Sequence, residues 1–211
     1  MRAGRRGRAA LAAVLTGLLV VLVAPSAEAH ARVDRGGALG EVWRTVLETP
    51  GSADPAAAGA NPFLTGSCAR FGDVVAPFSL GPAEITCRMR HGQTLVVVGQ
   101  TYEISTLESA TPDADEDTLR AEASALLVGR PSVRFDGHRV RLTRASSGLV
   151  TARLPQPNLF GSTEPSVELV AVGWVTALRP APGRHTVDIT LADGTVVPTT
   201  HVLVSKRRYR H

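Results

Sequence analysis

The spacing of apolar positions changes period along the chain. In "ALGEVWRTVLE", Leu39, Val42, Trp43, Val46 and Leu47 recur at i, i+3, i+4, i+7 and i+8, with Glu41, Arg44 and Glu48 off that stripe. This spacing predicts an amphipathic helix packed on the body of the protein, because Trp43 would otherwise leave a large apolar face in water. "TPGSADPAAAGANP", from Thr49 to Pro62, has no period and reads as an irregular connector.

Beyond the connector the period becomes that of strands. "DVVAPFS", "EITCR" and "TLVVVGQTYEIS" are short β-rich runs separated by Gly and Pro. An acidic loop, "ESATPDADED", leads into "TLRAEASALLVG", where Leu119, Ala123, Leu126 and Leu127 predict a second short helix closed by Gly129 and Pro131. In "SVRFDGHRVRL", Val133 and Phe135 face Val140 and Leu142 across Asp136-Gly137, a two-residue hairpin signal. After the loop "PQPNLFGSTEP", "SVELVAVGWVTAL" is strand-like, and "HTVDITLADGTVVPTTHVLVS" is a second Asp-Gly hairpin. Some eight or nine short strands at this spacing predict a mainly β chain: an immunoglobulin-like or related β-sandwich with two short accessory helices.

The first segment changes the charge picture. Arg2, Arg5, Arg6 and Arg8 precede the uncharged apolar run Ala9 to Ala24, and Ala27-Glu28-Ala29 and Ala29-His30-Ala31 both fit a cleavage site. That pattern predicts a signal peptide over residues 1–29 and a secreted, extracellular protein whose mature chain starts at His30 or Arg32. The run is short for a membrane span of about 20 residues, so no stable span is expected after cleavage. The Arg5-Arg6 pair leaves Sec and twin-arginine export both open. Residues 30–62 then hold the helix and the Pro/Ala/Gly-rich connector, 63–205 the sandwich, and 206–211 a basic tail.

The whole chain carries a formal charge of +4. Without Arg2, Arg5, Arg6, Arg8 and Glu28 it has 19 basic residues against 18 acidic ones, and four of the basic ones lie in the tail. The basic pI of about 9.8 therefore predicts no nucleic-acid binding by the folded body. Lys206, Arg207, Arg208 and Arg210 are the residues that could touch a polyanion, with Tyr209 stacking beside them. Cys68 and Cys87 are the only cysteines, and in an exported chain a pair reads as a disulfide.

Candidate chemistry is sparse. A freed N-terminal His30 could chelate copper through its amine and imidazole, and Asp113, Asp115 and Asp117 form a D-x-D-x-D that invites calcium. The acidic triplet lacks the Gly and Glu that a calcium loop needs, since Thr118 and Ser124 stand there. Its acids suit the N-terminus of the following helix instead. His91, His138, His185, His201 and His211 form no H-x-H or H-x-x-x-H pair. There is no G-x-S-x-G or H-E-x-x-H motif. Glu84, Glu103 and Glu108 could supply a hydrolytic pair, but nothing in their spacing selects them. No cofactor is expected, and the chain reads as a non-enzymatic extracellular or cell-envelope interaction module. Its partner would be a wall polymer or an envelope protein. The alternative is a copper- or calcium-binding secreted protein acting on polysaccharide.

Two resemblances follow from particular residues. Leu178, Pro182, Gly183, His185, Val187 and Ile189 resemble the corner before strand F of fibronectin type III and bacterial immunoglobulin-like domains. The resemblance implies that Pro182-Gly183 turns the chain and that His185 ties the corner to its own backbone. More widely, "ANPFLTGSC", "TCRMRHGQTLVVV", "TLRAEASALL", "SVRFDG", "PNLFG" and "VGWVTALRPAPGRHTV" resemble a group of uncharacterised secreted proteins of actinobacteria and other prokaryotes. That resemblance implies export and fold, and carries no activity.

Overall fold

The computed structural model describes residues 33–206. Residues 1–29, read above as a signal peptide, His30 and the tail residues Arg207, Arg208, Tyr209, Arg210 and His211 lie outside the described residues. The first element is the helix α1, Arg35–Glu48. Its apolar stripe is buried as expected, from Leu39 through Val42, Trp43, Val46 and Leu47. Asp34 caps its N-terminus by accepting the Gly36 N–H. The connector is more than a tether, because the buried Asn61 donates to the carbonyls of Val46 and Thr49 and so satisfies the end of the helix.

Among the described residues eleven strands follow, in two sheets. The larger sheet runs β1 (Ser67–Phe71), β2 (Val74–Phe78), β4 (Thr94–Ser105), β9 (Ser166–Leu178) and β7 (Thr143–Ser146), with β8 (Val150–Arg153) also on β9. The smaller runs β3 (Ile85–Arg90), β11 (Val196–Ser205), β10 (Gly183–Thr190), β5 (Ser132–Phe135) and β6 (His138–Arg139). The second helix, α2, is Glu116–Leu126. The architecture is a β-sandwich. Its pairs β2–β4 and β3–β11 are parallel, so its sheets are mixed, unlike the wholly antiparallel pair of an immunoglobulin-like domain.

The layers explain the sequence pattern. One core lies between the sheets and holds Val75, Ile85, Cys87, Leu95, Val97, Val133, Val187 and Val202. A second lies on the opposite face of the larger sheet, where α1 packs on Val96, Val98, Leu169, Ala171 and Val175. A third joins Leu119 and Ala123 of α2 to Val170 and Val172. The central strands β4 and β9 are thus covered on both faces, and such strands read as continuous apolar runs like "LVVV". The sequence places Leu126 on the apolar face of α2, but it is 46% exposed. The helix ends there, and Leu127 makes the contact instead.

Both Asp-Gly hairpins form. Asp136 and Gly137 both take left-handed backbone, φ 50° and 77°, the combination a two-residue reversal of twisted strands requires. The disulfide Cys68–Cys87 joins β1 to β3 and so ties one sheet to the other. Among the described residues no helix is long and apolar enough to cross a membrane.

Candidate functional site: a cleft along an open strand

β2 and β4 run side by side only at Val74–Thr94 and Val75–Leu95. Beyond that point β4 continues to Ser105 while paired with β9 on its other side. A bulge in the β4–β9 pairing falls between Val98 and Gln100, three residues beyond the last β2 partner. Gly99 sits there, and any Cβ on it would come within 3.2 Å of Leu142, Pro131 and Val133. A larger residue there would press on these three side chains, so glycine lets β4 pass close to them at the bulge.

The gap left by β2 is a cavity of about 530 Å³. Val97, Val98, Gly99, Gln100, Thr101 and Tyr102 all line it. Successive residues of a strand point to opposite faces, so six in a row can line one space only if the strand's edge faces it. The other walls include the end of β2 (Pro77 and Phe78), the segment Ser79–Ala83, Trp43, Ile85 and residues of β10 and β11, among them Val187 and Ile189. A second cavity, of about 350 Å³, adjoins it and shares Trp43, Leu80, Thr101 and Tyr102. Leu47, Phe160, Glu103 and Glu108 complete that second cavity. Trp43 donates to Thr101 Oγ1 at 3.2 Å and packs edge-on against Phe78, which fixes the wall between the two spaces.

Three buried polar atoms among the described residues lack a hydrogen-bond partner, and two of them belong to this strand: Gln100 Oε1 and Glu103 Oε2. Burial, together with the nearby Glu108 charge and a carboxyl–carboxyl hydrogen bond to it, pushes the Glu103 carboxyl well above its usual 4.5. Glu108 in turn accepts from Ser105 at 2.7 Å. The fold thus brings together two of the three acids that the sequence could not select, and sends Glu84 elsewhere, 3.4 Å from His201. Glu103 and Glu108 line the same smaller cavity, and the proximity of Glu108 is one of the causes that raise the Glu103 carboxyl.

The remaining candidates are structural or dispersed. Asp115 caps α2 by accepting from the Thr118 N–H and hydroxyl, which holds its pKa below the usual 3.8, and Asp117 pairs with Arg120. Asp113 sits in left-handed backbone, and among the described residues no three His, Cys, Asp or Glu side chains converge as a metal site would need. At the corner, His185 Nε2 is 2.8 Å from the Ala181 carbonyl, while Nδ1 is 2.7 Å from Asp136 Oδ2 and the ring stacks on Phe135. Asp136 Oδ1 also accepts the Thr186 N–H at 2.9 Å. Lys206 ends the described residues, just past the end of β11 opposite to the cleft-lining Val196 and Val197, and Arg207, Arg208 and Arg210 lie outside the described residues.

The signal that could have found the cleft is weak but real. Polar "GQT" interrupts an apolar run where a fully paired central strand would carry none. No protein-family model matches the chain, and no curated protein and no solved structure matches it.

Proposed function

We propose that the protein is exported and serves as a non-enzymatic interaction module of the extracellular space or cell envelope, binding through the cleft along β4. The observation that carries this reading is the open edge itself: six consecutive residues of a central strand line one apolar cavity of about 530 Å³. That volume lies in the range of specific ligand sites, and the mostly apolar walls with few polar groups suit binding. The signal-like first 29 residues and the Cys68–Cys87 bond support an oxidising destination.

The test is retention of host envelope material by the immobilised mature chain. Wall polymer, glycan or envelope protein should be held, and digestion with proteinase distinguishes the last from the others. Leu80 lines both cavities and is 40% exposed, so Leu80→Arg should fold normally yet obstruct the cleft. It should retain about tenfold less, a difference of about 1.4 kcal/mol in binding. Retention of nothing by the wild type, or of equal amounts by both, overturns the reading.

A further inference from the structure

We infer that the cleft accepts an extended peptide strand of a partner protein, carrying a lysine or arginine whose cation is received between Glu103 and Glu108. This rests on the binding role proposed for the cleft and names its occupant. Three independent features of β4 converge on it.

The first is the backbone. Among the described residues no strand pairs with β4 past Leu95 on the β2 side, and Val97–Tyr102 line the cavity there, which leaves that edge's N–H and C=O groups without a ladder partner. A peptide strand satisfies such a row by continuing the sheet, whereas a compact apolar molecule would leave it unpaired. The second is shape. From Val97 to Glu103 the strand spans about 20 Å at roughly 3.3 Å per residue, room for about six residues of peptide. Side chains of an added strand would point alternately to the two faces. On one they would meet Ile85, Val187 and Ile189 in the larger cavity, and on the other Leu47 and Phe160 in the smaller.

The third is the polar balance. The two unpartnered atoms on β4, Gln100 Oε1 and Glu103 Oε2, are both acceptors, so an occupant must bring donors. Gln100 and Glu103 stand three residues apart, about 10 Å along the strand. The residues lining the smaller cavity include no lysine, arginine or histidine, and its titratable groups are Tyr102, Glu103 and Glu108. On α1, Glu41 and Arg44 pair with each other and Glu48 accepts from the Arg153 N–H. An incoming ammonium or guanidinium therefore meets two carboxyls and no like charge. Burial and the Glu108 charge raise the Glu103 carboxyl above its usual range, and a cation placed beside it lowers it again, so binding shifts the carboxyl toward loss of its proton to solvent.

The experiment uses the mature chain and synthetic peptides of about seven residues, blocked at both ends, alternating Val and Thr. A single Lys is walked along the peptide, and each member is matched by one with Glu at the same place. At neutral pH at least one lysine peptide should bind at least about tenfold tighter than its glutamate partner. It should also slow hydrogen exchange at the amides of Val98–Tyr102 and release protons in calorimetry across buffers of different ionisation enthalpy. Glu103→Gln should erase the lysine preference and the proton release. It should melt with the wild type at acid pH, where Glu103 is protonated folded and unfolded, which separates a lost subsite from a lost fold. Equal binding of Lys and Glu peptides, unprotected β4 amides, or equally tight binding of blocked lysine alone each overturn the inference. If no peptide binds, the inference fails by itself, because the binding role is judged separately by retention of envelope material.

Discussion

His185 shows how a residue that looks like chemistry can be spent on architecture. Both of its ring nitrogens face acceptors, the Ala181 carbonyl and the Asp136 carboxylate, so both bonds can form together only when each nitrogen carries a proton. Burial of the ring opposes that charge, but the bonds to Asp136 and Ala181 outweigh it and raise the pKa above 6.5. For Asp136 burial likewise works against the charge, and the bonds from His185 and Thr186 win, holding the carboxyl below 3.8. The linkage has two edges. The histidine's contribution is complete below 6.5 and fades as pH rises through the folded value, while the aspartate's is complete above 3.8 and fades on acidification. Melting temperature should therefore decline as pH passes 6.5 upward. Asp136→Asn retains a residue that tolerates left-handed backbone, so it should lose about 1 kcal/mol near pH 6 and flatten that decline, as read by melting curves across pH. The corner histidine was legible from Pro182-Gly183, but Asp136 was not. It lies 49 residues away and meets His185 only because β5 pairs with β10.

Among the elements, α1 and β4 differ in how openly the chain declares them. The stripe of α1 was legible because burial on one face imposes a helical period. Its closeness to the sheet was not. Gly36 and Gly40 face Ser146, Ser147 and Val150, and a Cβ on Gly36 would fall 2.3 Å from the Ser146 carbonyl oxygen. Backbone cannot yield as a side chain can, so Gly36→Ala should destabilise by about 1–3 kcal/mol despite the better helix propensity of alanine. Chemical denaturation checks this, and a more stable variant would mean that the helix can lift away freely. For β4 the run "LVVV" declared a doubly covered strand. The open edge could not be read, because pairing is decided by where a distant strand turns away, and β2 carries no mark of leaving. Glu103 and Glu108 were equally hidden. One lies on a strand and the other in the turn after it, so neither a period of two nor a helical period relates them.

For the molecule as a whole, strand content and the disulfide were legible, since alternation and a lone cysteine pair are local signals. Layer order was not, because it depends on which strands meet, and the parallel pairs β2–β4 and β3–β11 have no local signature. Closing a loop of 19 residues by Cys68–Cys87 stabilises the fold by about 3 kcal/mol in the chain-entropy model, so reduction should lower stability by about that much in denaturant titrations. The bond also bears on survival outside the cell. The cleft wall Ser79–Ala83 is an irregular connection between β2 and β3, the kind of segment proteases cut first, and it lies within the covalent ring that Cys68 and Cys87 close. A single nick there cannot separate the fragments. The cut protein should migrate as one species until a reductant is added and then as two, so that an irregular wall of the cleft is also one whose cleavage the molecule can outlive.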